Sequence, residues 1–166
     1  MKLFAGITIA AALAANPAFA QDLWRGALAG MTPAEVVGAF PEARATDPAR
    51  PAIRFELPGL NLIGLPWKAA FHFTQDDRLR AVILSPADEA SVGSGQTAFA
   101  QLRRDLIVKY GDPLVCDESG VRGVVATSTC DWLAGPVAIK LKRDDFGDKA
   151  YLSVAYTAEE AGGSIL

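Results

Sequence analysis

The chain has 166 residues, of which the first 20 read as a removable leader, leaving 146 for one domain or two small ones. Hydrophobic residues make up 51%, an ordinary globular share, and the formal charge of −3 excludes a nucleic-acid binder acting through bulk positive charge. One histidine and two cysteines exclude a His-rich or Cys-rich metal cluster. Beyond the leader, no run has the roughly 20 apolar residues that a bilayer helix needs.

Met1-Lys2 supplies a short positive start, and residues 3–15 form an apolar run broken only by Gly6 and Thr8. Asn16-Pro17 interrupts any helix, and Ala18-Phe19-Ala20 fits an A-x-A cleavage site. The run is too short for an uncleaved membrane anchor. The expectation is a signal peptide over 1–20, cleaved after Ala20, and a periplasmic (or secreted) protein beginning at Gln21. No cysteine follows the cleavage site, so no lipid anchor is expected.

Met31-Thr32-Pro33-Ala34-Glu35-Val36 reads as a helix start. Thr32 is the N-cap, Pro33 suits the first helical position, and Glu35 completes a capping box. Val36, Val37 and Phe40 form its apolar stripe, and Pro41 ends it. Residues 43–51 read as a loop. Residues 52–57 alternate as a strand, Pro58-Gly59 turns the chain, and residues 60–65 are a weaker strand. Residues 69–74 and 79–85 form a hairpin around Gln75-Asp76-Asp77-Arg78.

After a loop over 86–95, residues 96–110 carry the strongest helix pattern, with Phe99, Leu102, Leu106 and Tyr110 on one stripe. Gly111-Asp112-Pro113 stops it. Further strands fall near 114–117, 124–133, 137–143 and 150–157, and the tail from 158 is polar and Gly-rich. Cys116 and Cys130 lie 14 residues apart and should pair in an oxidising compartment. Closing that loop is worth ~3 kcal/mol.

The two halves share an order of features. Phe40-Pro41 and Tyr110-Gly111 end the helices at an offset of 70, and Pro66 and Pro136 repeat that offset. Phe71-His72-Phe73 with Asp76-Asp77 and Ile139-Lys140-Leu141 with Asp144-Asp145 stand 68 apart. The predicted fold is therefore α+β, with two tandem units of a helix packed on an antiparallel β-sheet. The first unit would span 21–90, the second, with the disulfide, 91–160, and 161–166 would be a flexible tail.

His72 alternates with Phe71 and Phe73, so it faces solvent or a partner if the phenylalanines are core. It has no evident nucleophile or orienting carboxylate beside it, and no G-x-S-x-G is present. Asp76-Asp77 and Asp144-Asp145-Phe146-Gly147-Asp148 suit hairpin turns better than a calcium loop, which needs more oxygen ligands at stricter spacing. Gly93-Ser94-Gly95 is too short for a nucleotide fingerprint and lacks its lysine. Lys140 and Lys142 share a strand face, and Arg78 and Arg80 flank Leu79 in the matching hairpin. That face either binds an acidic surface or is simply solvated. Trp67 and Trp132 precede the last hairpin of each half, as core anchors or as hot spots on an open face. Trp24, near the new N-terminus, is a possible docking element.

The string Gly30-Met31-Thr32-Pro33-Ala34-Glu35-Val36, followed by Phe40-Pro41, resembles the helix opening of small bacterial envelope proteins of the SmpA/OmlA and β-lactamase-inhibitor-like fold group. The resemblance implies a short helical segment on an antiparallel sheet, repeated in tandem in the inhibitors. It also implies an envelope location.

These features together predict a non-catalytic protein without cofactor or metal. It would dock another periplasmic or envelope protein, or a secreted enzyme, on an exposed sheet face. Trp67, His72, Trp132, Lys140 and Lys142 are the candidate interface residues; nucleic acid, a membrane span and a lipid anchor are not expected. The alternatives are a carrier of a small apolar ligand held between sheet and helices, and an enzyme using Asp76 or Asp144.

Overall fold

The computed structural model describes residues 21–47, 49, 52–121 and 125–159; the leader, its cleavage site and the tail from 160 lie outside the described residues. The described chain opens with a small hairpin, β1 (Asp22–Trp24) and β2 (Ala27–Leu28). Arg25 and Gly26 turn it, both with positive φ (49° and 85°), the conformation of a two-residue hairpin turn. Leu23, Trp24 and Ala27 enter the core.

Helix α1 (Pro33–Ala39) has the capping box that its sequence predicts. The Glu35 N–H donates to Thr32 Oγ1 at 3.3 Å, and the Thr32 N–H donates to Glu35 Oε2 at 2.7 Å. Its apolar stripe is narrower than expected. Val36 is fully buried, but Val37 is 39% exposed. Phe40, just past the helix end, stacks on Trp24 and meets Phe71 at a tilt of 42°.

The sheet follows. β3 (Arg44–Ala45) pairs with β4 (Ile53–Leu62), which runs into β5 (Leu65–Phe73) and β6 (Leu79–Pro86) as an antiparallel meander. The predicted strands over 52–57 and 60–65 are largely one long strand, bulged at Pro58-Gly59. Short β7 (Ala90–Ser91) leads into α2 (Val92–Tyr110), capped by the Ser91 side chain. A second meander then runs through β8 (Val115–Val121), β9 (Val125–Ala134), β10 (Val137–Phe146) and β11 (Lys149–Ala158). β11 pairs with β6, so all these strands form one nine-stranded sheet in the order β3-β4-β5-β6-β11-β10-β9-β8, with β7 attached to β11.

Alternation sorts the side chains. Trp67, Ala69, Phe71 and Phe73 of β5, Val82 and Leu84 of β6, Leu152, Val154 and Tyr156 of β11, and Val137, Ile139 and Leu141 of β10 are buried on one face. That face is covered by β1–β2, α1 and α2. The helix α2 contributes Ala98, Phe99, Leu102 and Leu106, and it comes closest at Gly95. A Cβ on Gly95 would lie 2.4 Å from the Cβ of Ala150 on β11.

The expected fold class is overturned: the protein is mostly β, with one large antiparallel sheet, and is not two tandem helix-on-sheet units. The boundary placed near residue 90 cuts a continuous sheet, because β6 and β11 are hydrogen-bonded neighbours. The helices are also unlike. α1 has seven residues and buries only Val36, whereas α2 has 19 residues and buries five. The repeated offsets join unlike places: Pro66 lies within β5, and Pro136 lies in the turn between β9 and β10.

The close approach at Gly95 predicts opposite signs for two like substitutions on α2. Gly95→Ala should destabilise by about 1–3 kcal/mol through overpacking against Ala150. Gly93→Ala, with nothing within 4 Å, should be neutral or stabilise by up to ~1 kcal/mol. Urea denaturation midpoints of the two variants check this.

Candidate functional site: the open face of the sheet

The helices and the β1–β2 hairpin all pack on one face, so the residues of opposite phase form the other. On β5 these are Lys68, Ala70 and His72; on β6, Ala81, Ile83 and Ser85. On β11 they are Tyr151, Ser153, Ala155 and Thr157, and on β10, Ala138, Lys140, Lys142, Asp144 and Phe146. The middle of this face is made mostly of small side chains around Ile83, and its flanks carry the charges.

Three of the five candidate interface residues are here. His72 is half-buried between Ile53 and Ala81 on the neighbouring strands. Burial disfavours its charged form and lowers its pKa below the ordinary value of 6.5. Lys140 and Lys142 stand on β10 as their alternation predicts. Each has an acidic neighbour: Lys140 Nζ is 3.3 Å from Asp131, and Lys142 Nζ is 2.7 Å from Asp144. On β4 and β5, Lys68 pairs with Glu56 at 3.3 Å. These lysines therefore belong to neutralised pairs, and they do not form the positive strip that would bind an acidic surface.

Trp67 and Trp132 do not belong to the site. They are 0% and 2% exposed and lie on the covered face, so neither can reach a partner. Their indoles differ. Trp132 Nε1 donates to the Gly111 carbonyl at 2.9 Å and ties the C-cap of α2 to β9. Trp67 Nε1 is buried with no partner. Trp24 is buried as well, stacked on Phe40, with the Arg25 guanidinium 5.1 Å from its ring centroid.

The acidic pairs separate. Asp77 sits in the β5–β6 turn at positive φ and forms an ion pair with Arg54. Asp144-Asp145 is not in a turn, contrary to expectation; both residues lie within β10, and Gly147-Asp148 makes the turn. Asp144 accepts from Thr127 Oγ1 at 2.8 Å on the open face. Asp145 points the other way, buried 3.2 Å from Arg143, whose guanidinium lies over Phe99. Among the described residues, no group of three or more His, Cys, Asp or Glu could hold a metal ion. A cleft of about 340 Å³ is lined by Arg44, Ala45, Thr46, Asp47, Glu56 and Pro58. It lies at the sheet margin around β3 and β4, with no helix residue in its lining, so it is not the apolar space between sheet and helices that a carrier would need.

Two residues that sequence reasoning passed over stand out. Phe146 and Tyr151 are 48% and 50% exposed and meet edge-to-face at 5.7 Å across the β10–β11 hairpin, on the open face. The signal was available in the strand pattern, since Tyr151 falls in the same phase as Ser153, Ala155 and Thr157. An aromatic in the polar phase of a strand is a flag for contact beyond the fold.

Cys116 and Cys130 form the expected disulfide, from β8 to β9 at directly opposed positions. The bridge is compatible with an oxidising, extracytoplasmic compartment. No described helix is long and apolar enough to cross a membrane.

Two measurements follow from these placements. Trp132→Phe should cost about 1–2 kcal/mol more than Trp67→Phe in urea denaturation, because it loses a hydrogen bond whereas the other removes an orphaned donor. As pH falls below 6.5, the unfolded chain takes up a proton at position 72 before the folded one does. Stability should therefore decline as pH falls through the lowered folded value, and His72→Gln should remove that part of the decline. Comparison of the chain with protein-family models, curated proteins and solved structures gives no match.

Proposed function

We propose that the protein is a non-catalytic binding module of the bacterial periplasm, exported by a leader cleaved after Ala20. It docks an envelope protein or a secreted enzyme on the open face of its sheet. The observation that carries this reading is the Phe146–Tyr151 pair. Apart from the partly buried Ile83, the large apolar side chains elsewhere in β5, β6, β10 and β11 turn to the covered face, whereas this half-exposed pair stands on the face with no helix over it. Aromatic side chains are enriched among the anchors that dominate protein interfaces, and they bind best when ringed by polar groups that exclude water. Here Lys142–Asp144 on β10, Thr127 on β9 and Ser153 on β11, opposite Lys142, supply polar neighbours along the strands next to the pair. Because these charges are paired within the chain, the face carries little net charge to steer a partner. It suits a partner recognised by shape and apolar contact.

The test is retention from periplasmic extract on immobilised protein, compared between wild type and a Phe146→Ser/Tyr151→Ser variant. Both side chains are about half exposed, so the variant should keep the wild-type urea midpoint. The wild type should retain a partner that the variant binds about 30-fold more weakly, the loss of one hot spot. Identical retention by the two proteins would remove the aromatic pair, and with it this reading.

A further inference from the structure

The sheet has two edges, and the chain treats them differently. At the first, β3 covers only two residues of β4, and the rest of β4 is broken by Pro58 and by Gly59 at φ 76°. A proline and a bulge spoil an edge for further pairing. At the second, β8 runs seven residues with its outer side unpaired among the described residues. Residues 115–120 are all exposed, so packing does little to hold this strand in place. The disulfide does so instead, joining Cys116 to the opposed Cys130.

We propose that β8 is a held template for strand addition by an extended basic segment of a partner protein. Cys116 and Cys130 have Cα atoms 4.1 Å apart, the narrow spacing of a non-hydrogen-bonded antiparallel pair. The N–H and C=O of Cys116 therefore point away from β9, and by alternation so do those of Glu118 and Gly120. These are the groups an added strand would meet. Asp117 and Glu118 take part in no ion pair among the described residues, and as neighbours on a strand they face opposite sides of the sheet. An incoming antiparallel strand thus needs two successive basic residues, opposite Glu118 and then Asp117. Two positions further on it meets Val115, 54% exposed, where an apolar residue fits. The recognised pattern is basic-basic-x-apolar. A second copy of this chain fits badly, because antiparallel self-pairing centred on the strand sets acid against acid. The same charges deter indiscriminate edge pairing while admitting a basic strand. A strand already fixed in its bound conformation also avoids part of the ordering cost of association.

This edge is distinct from the open-face aromatic pair, and the test keeps them apart. The probe is a short synthetic peptide of threonine and valine with Lys-Arg-Thr-Val at its centre, titrated by fluorescence anisotropy into the oxidised protein. Binding is expected, weakened about tenfold or more by Glu118→Lys, and unchanged by Phe146→Ser. Cys116→Ser/Cys130→Ser should also weaken it. The charge-reversed peptide with Glu-Glu-Thr-Val should bind only the Asp117→Lys/Glu118→Lys variant. N-methylation of the peptide amides that face β8 should abolish binding. The proposal is overturned by no binding to the wild type, by equal binding of the N-methylated peptide (charge alone), or by a dimer in sedimentation that Glu118→Lys dissolves.

Discussion

The pairing of β6 with β11 joins two antiparallel meanders that are otherwise consecutive in the chain. Val154 opposes Leu84 and Tyr156 opposes Val82, and these four side chains are buried on the covered face. Only four residue pairs make the junction, yet it sets the phase of everything around it. Because side chains alternate strictly along a strand, the register at the junction decides that Phe71 and Leu141, on strands to either side, enter the same core. A slip of one residue would carry Val154 and Tyr156 to solvent and bring Ser153 and Thr157 inside. The core is therefore continuous across the junction. Two separate helix-capped sheets would instead each need to bury a face alone, and α1, with Val36 as its only buried residue, could not cover one.

Covering the sheet from one side has a cost in backbone approach that the sequence meets at particular places. Gly95 lets α2 lie against Ala150, a small residue on β11. At its other end α2 is anchored by Gly111, whose N–H donates to the Ile107 carbonyl at 2.8 Å and whose own carbonyl accepts from Trp132. The backbone N–H of Gly30 donates to the Leu79 carbonyl and the Leu79 N–H donates to the Met31 carbonyl, both at 2.8 Å, so the entry to α1 is stitched to the start of β6. Each of these contacts directs chain connections to the covered side. The opposite face is open as a consequence, with mostly small side chains around Ile83 in the centre and paired charges on the flanks.

Much of this was legible in the residues. The capping box at Thr32–Glu35, the stripe Phe99-Leu102-Leu106 and the alternation of Phe71-His72-Phe73 are local signals, and the structure follows each of them. What was not legible was the partner of each strand. Short β1, β2, β3 and β7 exist because a neighbour offers hydrogen bonds, and two or three residues carry no periodicity to announce them. The matched offsets of Pro66 and Pro136 looked like repetition, but a proline can stand inside a strand or in a turn, and these two do different things. Tryptophan before a hairpin suited core and surface equally, and only the phase of each strand in the sheet sent Trp67 and Trp132 inward. Asp144-Asp145 resembled a turn because β10 was expected to end too early; once it continues to Phe146, the two carboxylates fall on opposite faces.

The placement of the single covalent cross-link follows from the same one-sided architecture. The bridge ties the exposed strand β8 to Cys130, a buried residue of β9 that lies beside Leu141 in the core. Its effect falls on β8, the strand farthest from the β6–β11 junction on its side of the sheet and without helix cover. The opposite margin is held by packing: Leu57 of β4 is buried and Phe55 meets Phe73 of β5 edge-to-face at 6.1 Å. Fraying at a sheet's edge is limited either by packing or by a local constraint. This sequence uses packing at one edge and a disulfide at the other, and the second choice keeps an exposed acidic strand extended.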